Sequence, residues 1–274
     1  MTRDRSKVII LKDKRRLGYA EYGVSDGLPL FVFHGSPGSR LLFEIEDDVA
    51  IDLNLRMISV DRPGYGLSDK QKNRTFRDWP LDLLELASHL QIDKFGVAGI
   101  SGGAPYALAC AEMIPEKLRG VFLISSPAWI NMSNHKKKMN RINRMGFTLS
   151  KSCPAILSLL YKAMNVRSKK VNDVQLIEAF RQGVKESVIE TRMITEPWDI
   201  NFAQVNAPIS IWHGEDDDSA PLEGAKWLSS KLSNSEIHIV KAGHSLYWDE
   251  SYRKMIYTEF INGYNKEQNK SKEI

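Results

Sequence analysis

The sequence has 274 residues, a length that suits one large domain with an insertion better than two small domains. Hydrophobic residues make up 42% and charged residues 26% of the chain, which is ordinary for a globular protein. The 38 Lys and Arg against 34 Asp and Glu leave a net charge of +4, too small an excess to indicate nucleic-acid binding. The two cysteines, Cys110 and Cys153, indicate neither a disulfide framework nor a zinc site.

The N-terminal stretch is charged and leads directly into a short strand, without the apolar core of a signal peptide. No apolar run in the sequence approaches the length that is needed to cross a bilayer. These features predict a cytoplasmic protein without stable membrane insertion.

Strand and helix patterns alternate along most of the chain. Eight short runs are typical of strands, at 8–11, 17–22, 30–33, 56–60, 95–100, 120–124, 209–212 and 236–240. Apolar residues at helical spacing predict helices at 41–53, 76–90, 104–113 and 247–264. The first two runs predict an antiparallel hairpin at a sheet edge. The alternation predicts an α/β fold with a doubly wound, mostly parallel, eight-stranded sheet.

The interval 127–207 has helical patterns but no convincing strand. One crossover between parallel strands needs about a dozen residues, so the excess predicts a helical cap inserted into a core formed by 1–126 and 208–274. The cap helices are predicted at 136–145, 155–164, 172–182 and 184–194. Two basic runs, 136–138 and 167–170, are interpreted as solvated helix faces, with an anionic membrane surface or partner as the alternative.

A Gly-x-Ser-x-Gly pentapeptide, from Gly99 to Gly103, lies between the predicted strand 95–100 and the predicted helix 104–113. Because the strand must turn into the helix within about one residue, Ser101 is expected to have a strained backbone conformation. The turn places the serine oxygen at the helix N-terminus, where peptide dipoles favour developing negative charge. Such a serine acts as a nucleophile only when a base takes its proton and an acid orients the base.

Two later strand ends carry a suitable acid and base. The strand 209–212 is followed by four consecutive carboxylates at 215–218. Like charges so close repel one another unless most of them face water, so three of the four are interpreted as a solvated turn. The strand 236–240 ends in a loop with Gly243 and His244, which favours a catalytic histidine. The chain order serine, aspartate, histidine is the one that this architecture requires.

Five stretches in this order resemble the α/β-hydrolase-fold serine hydrolases, and the resemblance covers nearly the whole chain outside the cap. The stretches are 34–38 (His-Gly-Ser-Pro-Gly), 61–68 (Asp-Arg-Pro-Gly-Tyr-Gly-Leu-Ser), 99–103, 213–221 and 243–249. They are similar to the branch that holds small esterases, carbon–carbon bond hydrolases and proline iminopeptidases. The resemblance implies that Ser101 is the nucleophile, His244 the general base and Asp217 the orienting acid. Asp216 and Asp218 are the fallback positions for the acid.

The same resemblance implies an oxyanion hole and a substrate pocket. The backbone N–H groups of Ser36 and Gly102 would hold the oxyanion, and Pro37 has no N–H to donate. His34 is expected either to line the pocket or to support its loop. Four aromatic residues in or beside the cap are further pocket candidates, although cap core is the favoured interpretation of each taken singly: Trp129, Phe147, Trp198 and Phe202. No metal and no organic cofactor is implied.

The expected activity is hydrolysis of a small or medium carboxylic ester through an acyl-enzyme, with a small-molecule acyl substrate, no nucleic acid, and a monomeric or homodimeric protein. A second candidate is a proline-iminopeptidase-like aminopeptidase, which would need acidic cap residues to hold a substrate amine. The residues available for that role are Glu178, Glu186, Glu190 and Glu196. A carbon–carbon bond hydrolase is the third candidate, and a ligand-binding receptor on the same fold is the non-enzymatic one.

Overall fold

An eight-stranded sheet forms the centre of the protein. The computed structural model describes residues 5–128 and 135–272, and its sheet has the strand order β1-β2-β4-β3-β5-β6-β7-β8. Within the described residues β2 alone runs against the other strands, pairing antiparallel with β1 and β4. The predicted mostly parallel, eight-stranded α/β sheet is thus confirmed. The strands are β1 (Lys7–Ile10), β2 (Arg16–Gly23), β3 (Leu28–Phe33), β4 (Leu55–Val60), β5 (Phe95–Ile100), β6 (Leu118–Ile124), β7 (Ile209–Gly214) and β8 (Ser235–Val240).

The central strands are apolar throughout because helices cover both faces of the sheet. Successive side chains of a strand point to opposite faces, and β3 shows the result. Phe31 and Phe33 belong to one buried cluster, whereas Leu30 and Val32 belong to a second cluster. The doubly wound arrangement therefore gives the protein two hydrophobic cores that are separated by the sheet.

The core helices follow the predicted pattern with two differences. The segment predicted at 41–53 is a 3₁₀ helix, Arg40–Glu46, that continues into a short α-helix. A helix after β7 was not predicted, because its sequence includes Gly224 and two serines, which favour helices weakly. A Cβ at Gly224 would lie 3.0 Å from the Cβ of Ala128, so the glycine permits close packing. The core helices are α1 (Asp47–Asp52), α2 (Trp79–His89), α3 (Ala104–Met113), α9 (Leu222–Lys231) and α10 (Glu250–Lys272).

Helices and no strand occupy the described part of 127–207, and we call this interval the cap. They are α4 (His135–Lys138), α5 (Arg141–Ser152), α6 (Pro154–Lys170), α7 (Val174–Ala179) and α8 (Lys185–Thr195). The chain enters the cap at the carboxyl end of β6 and leaves it just before β7. The division of the chain into core and cap remains our interpretation of this arrangement.

The helices differ from membrane spans in length or in composition. None of those in residues 5–128 and 135–272 is both long enough and apolar enough to cross a bilayer. Both cysteines are free thiols: Cys110 is buried in α3, and Cys153 is partly exposed between α5 and α6.

Candidate active site

Ser101 occupies a sharp turn between β5 and α3. Its φ angle is +49°, in the left-handed region that most side chains avoid. The turn also brings backbones close together. A Cβ at Gly99 would lie 2.5 Å from the carbonyl oxygen of Gly103, and one at Gly103 would lie 2.3 Å from that of Phe33. Only glycine fits at both positions, which explains the spacing of the pentapeptide.

The loop after β3 lies beside this turn. Strands β3 and β5 are parallel neighbours, with Phe33 opposite Gly99, so their carboxyl ends open at the same edge of the sheet. A Cβ at Gly102 would lie 2.2 Å from the Oγ of Ser36. The structure therefore brings together Ser36 and Gly102, the two residues whose N–H groups are predicted to form an oxyanion hole.

A hydrogen bond joins the predicted acid and the predicted base. The Nδ1–H of His244 donates to Oδ2 of Asp217 at 2.8 Å. The other carboxylate oxygen accepts the backbone N–H groups of Ser219 at 2.9 Å and Ala220 at 2.8 Å. With Nδ1 as the donor, Nε2 of the neutral His244 ring is the nitrogen that can accept a proton.

Asp217 differs from the neighbouring carboxylates in its solvent exposure. Asp217 is buried, whereas Glu215, Asp216 and Asp218 are exposed. The neighbouring strand end holds this loop in place, because the N–H of Asp216 donates to the carbonyl of Ala242 at 3.0 Å. The two fallback positions for the acid therefore face water, and Asp217 alone of the four contacts His244.

Ser101 and His244 line one cavity of about 350 Å³. In residues 5–128 and 135–272 the Ser101 hydroxyl has no hydrogen-bond partner. The structure thus places the two side chains on the same cavity without a direct hydrogen bond between them. A hydroxyl in this position is available to a bound ligand.

The wall of this cavity is largely apolar and comes mostly from the cap. Phe147, one of the pocket candidates, is among the lining residues. Trp198 is not: its ring packs against Phe76 and Phe202 in the core, and its N–H donates to the carbonyl of Ile194 at 3.1 Å. Phe202, which packs against Trp198, does not line the cavity either, and Trp129 lies outside the described residues. The main cap residues of the wall are Ile142, Met145, Phe147, Leu157, Leu160, Tyr161, Met164 and Ile194.

His34 does not line the cavity either, which leaves the second of its two predicted roles. The side chain is fully buried, with Nδ1–H donating to the carbonyl of Gly35 at 2.8 Å and Nε2 accepting the N–H of Arg62 at 3.4 Å. Burial first, and then the charge of Arg62, lower the pKa of His34 well below its ordinary value. A neutral His34 therefore supports the loop that carries Ser36.

Arg62 holds the same loop from the other side, a role that its sequence pattern does not predict. Its fully buried guanidinium donates to the carbonyl of His34, to the carbonyl of Gly35 at 3.2 Å and to Oγ of Ser36 at 2.9 Å. Two nitrogens of one planar group, Nη1 and Nη2, thus contact three consecutive residues and hold their conformation.

The partner of Arg62 is Glu190, a fully buried carboxylate on cap helix α8. Arg62 donates to both of its oxygens, from Nε at 3.0 Å and from Nη2 at 2.6 Å. The hydroxyls of Tyr106 and Tyr65 donate at 2.7 and 3.1 Å, and the Ser36 hydroxyl donates as well. Glu190 therefore connects the cap directly to the predicted oxyanion loop.

Glu190 is ionised in this environment. Burial by itself raises the pKa of a carboxyl group, but the charges and hydrogen bonds of Arg62 and Arg74 act in the opposite direction and outweigh it. The pKa of Glu190 is consequently held well below its ordinary value. From the sequence, Glu190 is only a candidate for binding a substrate amine. Its contact with Arg62 is not predictable, because the two residues are 128 positions apart and no local pattern links them.

A second attachment joins the cap to the loop of Asp217. The N–H of Asn140, just before α5, donates to the carbonyl of Asp218 at 2.7 Å. Its side-chain amide donates to Oγ of Ser219 at 3.0 Å, while its carbonyl oxygen caps α5 by accepting the N–H of Asn143. One residue therefore starts a cap helix and also contacts the loop that carries the predicted acid.

His213 is a second histidine beside Asp217. It is fully buried, with Nε2–H donating to the carbonyl of Ala220 at 2.7 Å and lying 3.6 Å from Oδ2 of Asp217. Its Nδ1 has no partner among the described residues. Burial lowers the pKa of His213. A neutral His213 therefore supports the loop that carries Asp217.

Comparisons with known proteins bear on the family of the chain. A model of the alpha/beta hydrolase fold family matches residues 29–150. The uncharacterized hydrolase YcgS of Bacillus subtilis (strain 168) is 29% identical over 128 residues, which are 46% of this chain and 45% of that protein. The proline iminopeptidase of Neisseria gonorrhoeae is 32% identical over 123 residues, 41% of this chain and 39% of that protein. The chain thus matches less than half the length of these two curated relatives.

Among solved structures, the esterase EaEST from Exiguobacterium antarcticum superposes with a TM-score of 0.73 at 16% identity. The superposition covers 95% of this chain and 99% of that chain. At this identity the likeness concerns the fold, and it extends across the sheet and the helices on both of its faces. Together with the match of the family model to the segment that contains both the Ser36 loop and the Ser101 turn, this likeness shows that the chain has the α/β-hydrolase fold.

Proposed function

We propose that the protein is a serine hydrolase that cleaves small or medium carboxylic esters through an acyl-enzyme. The observation that carries the proposal is the 2.8 Å hydrogen bond from His244 to the buried Asp217, with His244 and Ser101 on the wall of one cavity. An aspartate in this position fixes the ring orientation and the tautomer of the histidine, and it stabilises the imidazolium that forms during the reaction.

In the proposed reaction Ser101 Oγ attacks the ester carbonyl while Nε2 of His244 takes the hydroxyl proton. The N–H groups of Ser36 and Gly102 hold the negative oxygen of the tetrahedral intermediate. Nε2 then gives the proton to the leaving alcohol as the C–O bond breaks, which leaves the acyl group on Ser101. A water molecule, deprotonated by His244, releases the acid by the same steps in reverse order.

The cavity wall supports an ester with an apolar acyl group. Its cap residues are mostly aliphatic or aromatic, so that the hydrocarbon part of a substrate would be transferred from water to an apolar surface. A volume of about 350 Å³ lies near the lower end of the range for small-molecule sites. EaEST is called an esterase, which fits the same activity.

The charges around the cavity disfavour the aminopeptidase candidate. A substrate amine needs a free carboxylate, and the described lining residues include no Asp or Glu. Each cap glutamate considered for this role already has an arginine partner. Glu190 pairs with Arg62, Glu186 with Arg74, Glu178 with Arg40 and Glu196 with Arg192. A substrate amine would therefore have to displace an arginine that is already bound.

A fluorophosphonate probe tests the proposed nucleophile, because it reacts with serines that a neighbouring base activates. We expect the wild-type protein to be labelled at Ser101 and Ser101→Ala to remain unlabelled. Ser230→Ala, which changes an exposed serine of α9, is the matched control and should be labelled like the wild type. A folded wild-type protein without any label would contradict the proposal and favour a ligand-binding receptor.

A panel of chromogenic substrates then tests the bond that is cleaved. We expect p-nitrophenyl esters of short and medium acyl chains to be hydrolysed, with loss of activity in Ser101→Ala. Aminoacyl anilides, including the prolyl compound, should be turned over much more slowly. Faster cleavage of the prolyl anilide, or of a diketone in a carbon–carbon bond assay, would replace the ester in the proposal.

A further inference from the structure

Charge is distributed very unevenly along this chain. Residues 135–172 contain ten Lys and Arg and no Asp or Glu, whereas the rest of the chain contains 28 Lys and Arg and 34 Asp and Glu. The segment thus carries a formal charge of +10, and the remainder carries −6. The segment includes α4, α5 and α6, so the positive charge is concentrated on one part of the cap.

Helix α6 is apolar on two sides. Leu157 is buried and faces the rest of the protein. On another side, Ile156, Leu159, Leu160 and Ala163 recur at the spacing i, i+3, i+4 and i+7 and are exposed, with Leu159 at 61%. A helix on the surface of a globular protein needs one apolar stripe to pack against the core. The side of α6 that contains Leu157 already provides this packing, so packing against the core does not explain the exposed stripe.

Exposed apolar side chains are concentrated on the cap. Eighteen large hydrophobic side chains of the described residues are exposed, and ten of them lie between 142 and 189. Single exposed hydrophobic residues scattered over a surface need no explanation, but a group of them marks an interaction site. We call the following set the outer cap face: Ile142 and Met145 of α5, and Ile156, Leu159, Leu160, Ala163, Met164, Val166, Arg167 and Lys170 of α6.

The outer cap face includes the mouth of the cavity described above. Ile142, Met145, Leu160 and Met164 line that cavity and are also exposed to solvent. They therefore form the rim between the outer cap face and the interior. An apolar molecule that lies on this face has a continuous apolar path to the cavity wall on which Ser101 is found.

Unpaired cations flank the apolar stripe. Lys162, Arg167, Lys169 and Lys170 of α6 are exposed, and none of them has an ion-pair partner among the side chains that the structure describes. Aliphatic residues on one side of a helix with Lys and Arg beside them are typical of helices that lie in the interface of a membrane. Anionic headgroups supply the charge that these cations lack.

We propose that the outer cap face docks peripherally on an anionic lipid bilayer. The aliphatic side chains of α6 enter the headgroup boundary, and Arg167, Lys170 and their neighbours contact the headgroups. The cavity mouth then faces the lipid, from which apolar substrates can enter. This interaction goes beyond the proposed hydrolysis, because it requires neither Ser101 nor turnover.

The charge of the face decides between a bilayer and a second copy of the chain. Two outer cap faces that meet would each bring a segment of charge +10, and like charges repel one another. An acidic protein would satisfy the cations, but it would not by itself require the aliphatic stripe. A bilayer with anionic lipids satisfies both the charged and the apolar parts of the surface.

Flotation with vesicles tests the proposal. Vesicles of phosphatidylcholine alone are compared with vesicles that also contain phosphatidylglycerol, at low and at high salt. We expect the wild-type protein to float with the anionic vesicles at low salt, less so at high salt because of screening, and hardly at all with phosphatidylcholine alone. Ser101→Ala should float like the wild type, so the outcome is independent of the catalytic proposal.

Two double variants test the two parts of the face. Ile156→Ser with Leu159→Ser removes exposed aliphatic groups, and Arg167→Glu with Lys170→Glu reverses two charges; none of the four residues lines the cavity. Each should lower vesicle binding at least tenfold. The matched controls are Ile10→Ser with Leu81→Ser and Lys72→Glu with Lys94→Glu, which change exposed residues of the core in the same way and should bind like the wild type.

Thermal unfolding and hydrolysis of a water-soluble ester establish that every variant is folded. Absence of wild-type binding to anionic vesicles at low salt would overturn the proposal. Equal losses in the core charge control and the cap charge variant would also overturn it, because the attraction would then not be specific to the cap. Loss of binding in the charge variant with full binding of Ile156→Ser/Leu159→Ser would show electrostatic adsorption without insertion of the aliphatic stripe, and would overturn the proposed docking.

Discussion

At the scale of single residues, burial distinguishes Asp217 from the carboxylates beside it. Glu215, Asp216 and Asp218 face water, where a carboxylate can rotate and is well solvated. Asp217 is held by two backbone N–H groups and the His244 ring, so both of its oxygens have defined partners. The three exposed neighbours are therefore suitable controls for the function of the buried one.

We predict that Asp217→Asn lowers kcat by about 10⁴-fold, the loss that follows when an amide holds the histidine in the wrong tautomer. Asp216→Asn, one residue away and exposed, should leave kcat within a factor of about two. Steady-state hydrolysis of a p-nitrophenyl ester measures both effects. Comparable kcat values for the two variants would assign the orienting acid to another residue.

At the scale of secondary-structure elements, helix α8 connects the cap to the loop that carries Ser36. Its Glu190 receives hydrogen bonds from Arg62 and Ser36, and Arg62 in turn holds the carbonyl groups of His34 and Gly35. Removal of the negative charge would leave two buried guanidinium groups, Arg62 and Arg74, without their shared partner. The geometry of the predicted oxyanion loop therefore depends on the position of a cap helix.

We predict that Glu190→Gln lowers the free energy of unfolding by roughly 3–5 kcal/mol, as is usual when one partner of a buried ion pair is removed. It should also lower kcat, because a neutral amide holds Arg62, and with it the loop that carries Ser36, less firmly than a carboxylate does. Glu196→Gln, which breaks an exposed pair with Arg192 at the end of the same helix, should cost less than about 0.5 kcal/mol.

Denaturant unfolding and ester hydrolysis of the folded Glu190→Gln variant distinguish two roles for Glu190. A stability loss with unchanged kcat would show that the buried pair holds the cap without positioning the loop. Retention of both properties would show that Glu190 is dispensable, which the six hydrogen bonds to its carboxylate do not support.

At the scale of the whole molecule, two fully buried histidines make stability depend on pH. Burial lowers the pKa of both His34 and His213 in the folded state. When the pH falls below about 6.5, the unfolded chain takes up protons at these positions and the folded protein does not. Because the unfolded state then binds more protons, the free energy of unfolding decreases as the pH falls.

We predict that the free energy of unfolding decreases between pH 7.5 and 5.5 by as much as about 1.4 kcal/mol per pH unit for each of these histidines. His213→Gln can place an amide N–H near the position of Nε2, within reach of the carbonyl of Ala220, but it cannot titrate. It should therefore reduce the slope by up to about 1.4 kcal/mol per pH unit, the contribution of one proton. Denaturant unfolding at a series of pH values gives both slopes. An unchanged slope in His213→Gln would mean that this histidine takes up its proton in the folded state as well.

The sheet was predictable because its central strands are apolar over their full length. β5 is buried at every position, and its predicted and observed ends coincide. The helix α9 was not predicted, since Gly224 and its serines weaken the local pattern and tertiary packing on Ala128 decides the structure. The cap helices follow the predicted order, but the first is divided into α4 and α5, and α6 extends to Lys170, six residues beyond its predicted end.

The candidate site was partly predictable for a related reason. Ser101, Asp217 and His244 each follow a strand in a local pattern, so a resemblance between sequences was able to locate them. The contact between Arg62 and Glu190 is visible only in three dimensions, because it depends on how α8 lies over the turn after β4. Trp198 was left between pocket and core because an aromatic residue has the same local pattern in both places, and the structure packs its ring against Phe76 and Phe202.

The two attachments of the cap have a consequence for how such proteins diversify. Glu190 reaches the Ser36 loop, and Asn140 reaches the loop of Asp217. A foreign cap grafted between β6 and β7 would therefore change the reactive groups as well as the walls of the pocket, unless it supplied a carboxylate and an amide at equivalent places. We therefore expect an exchange of the cap to change substrate selectivity and kcat together. A chimera with a foreign cap should recover kcat only after both side chains are restored.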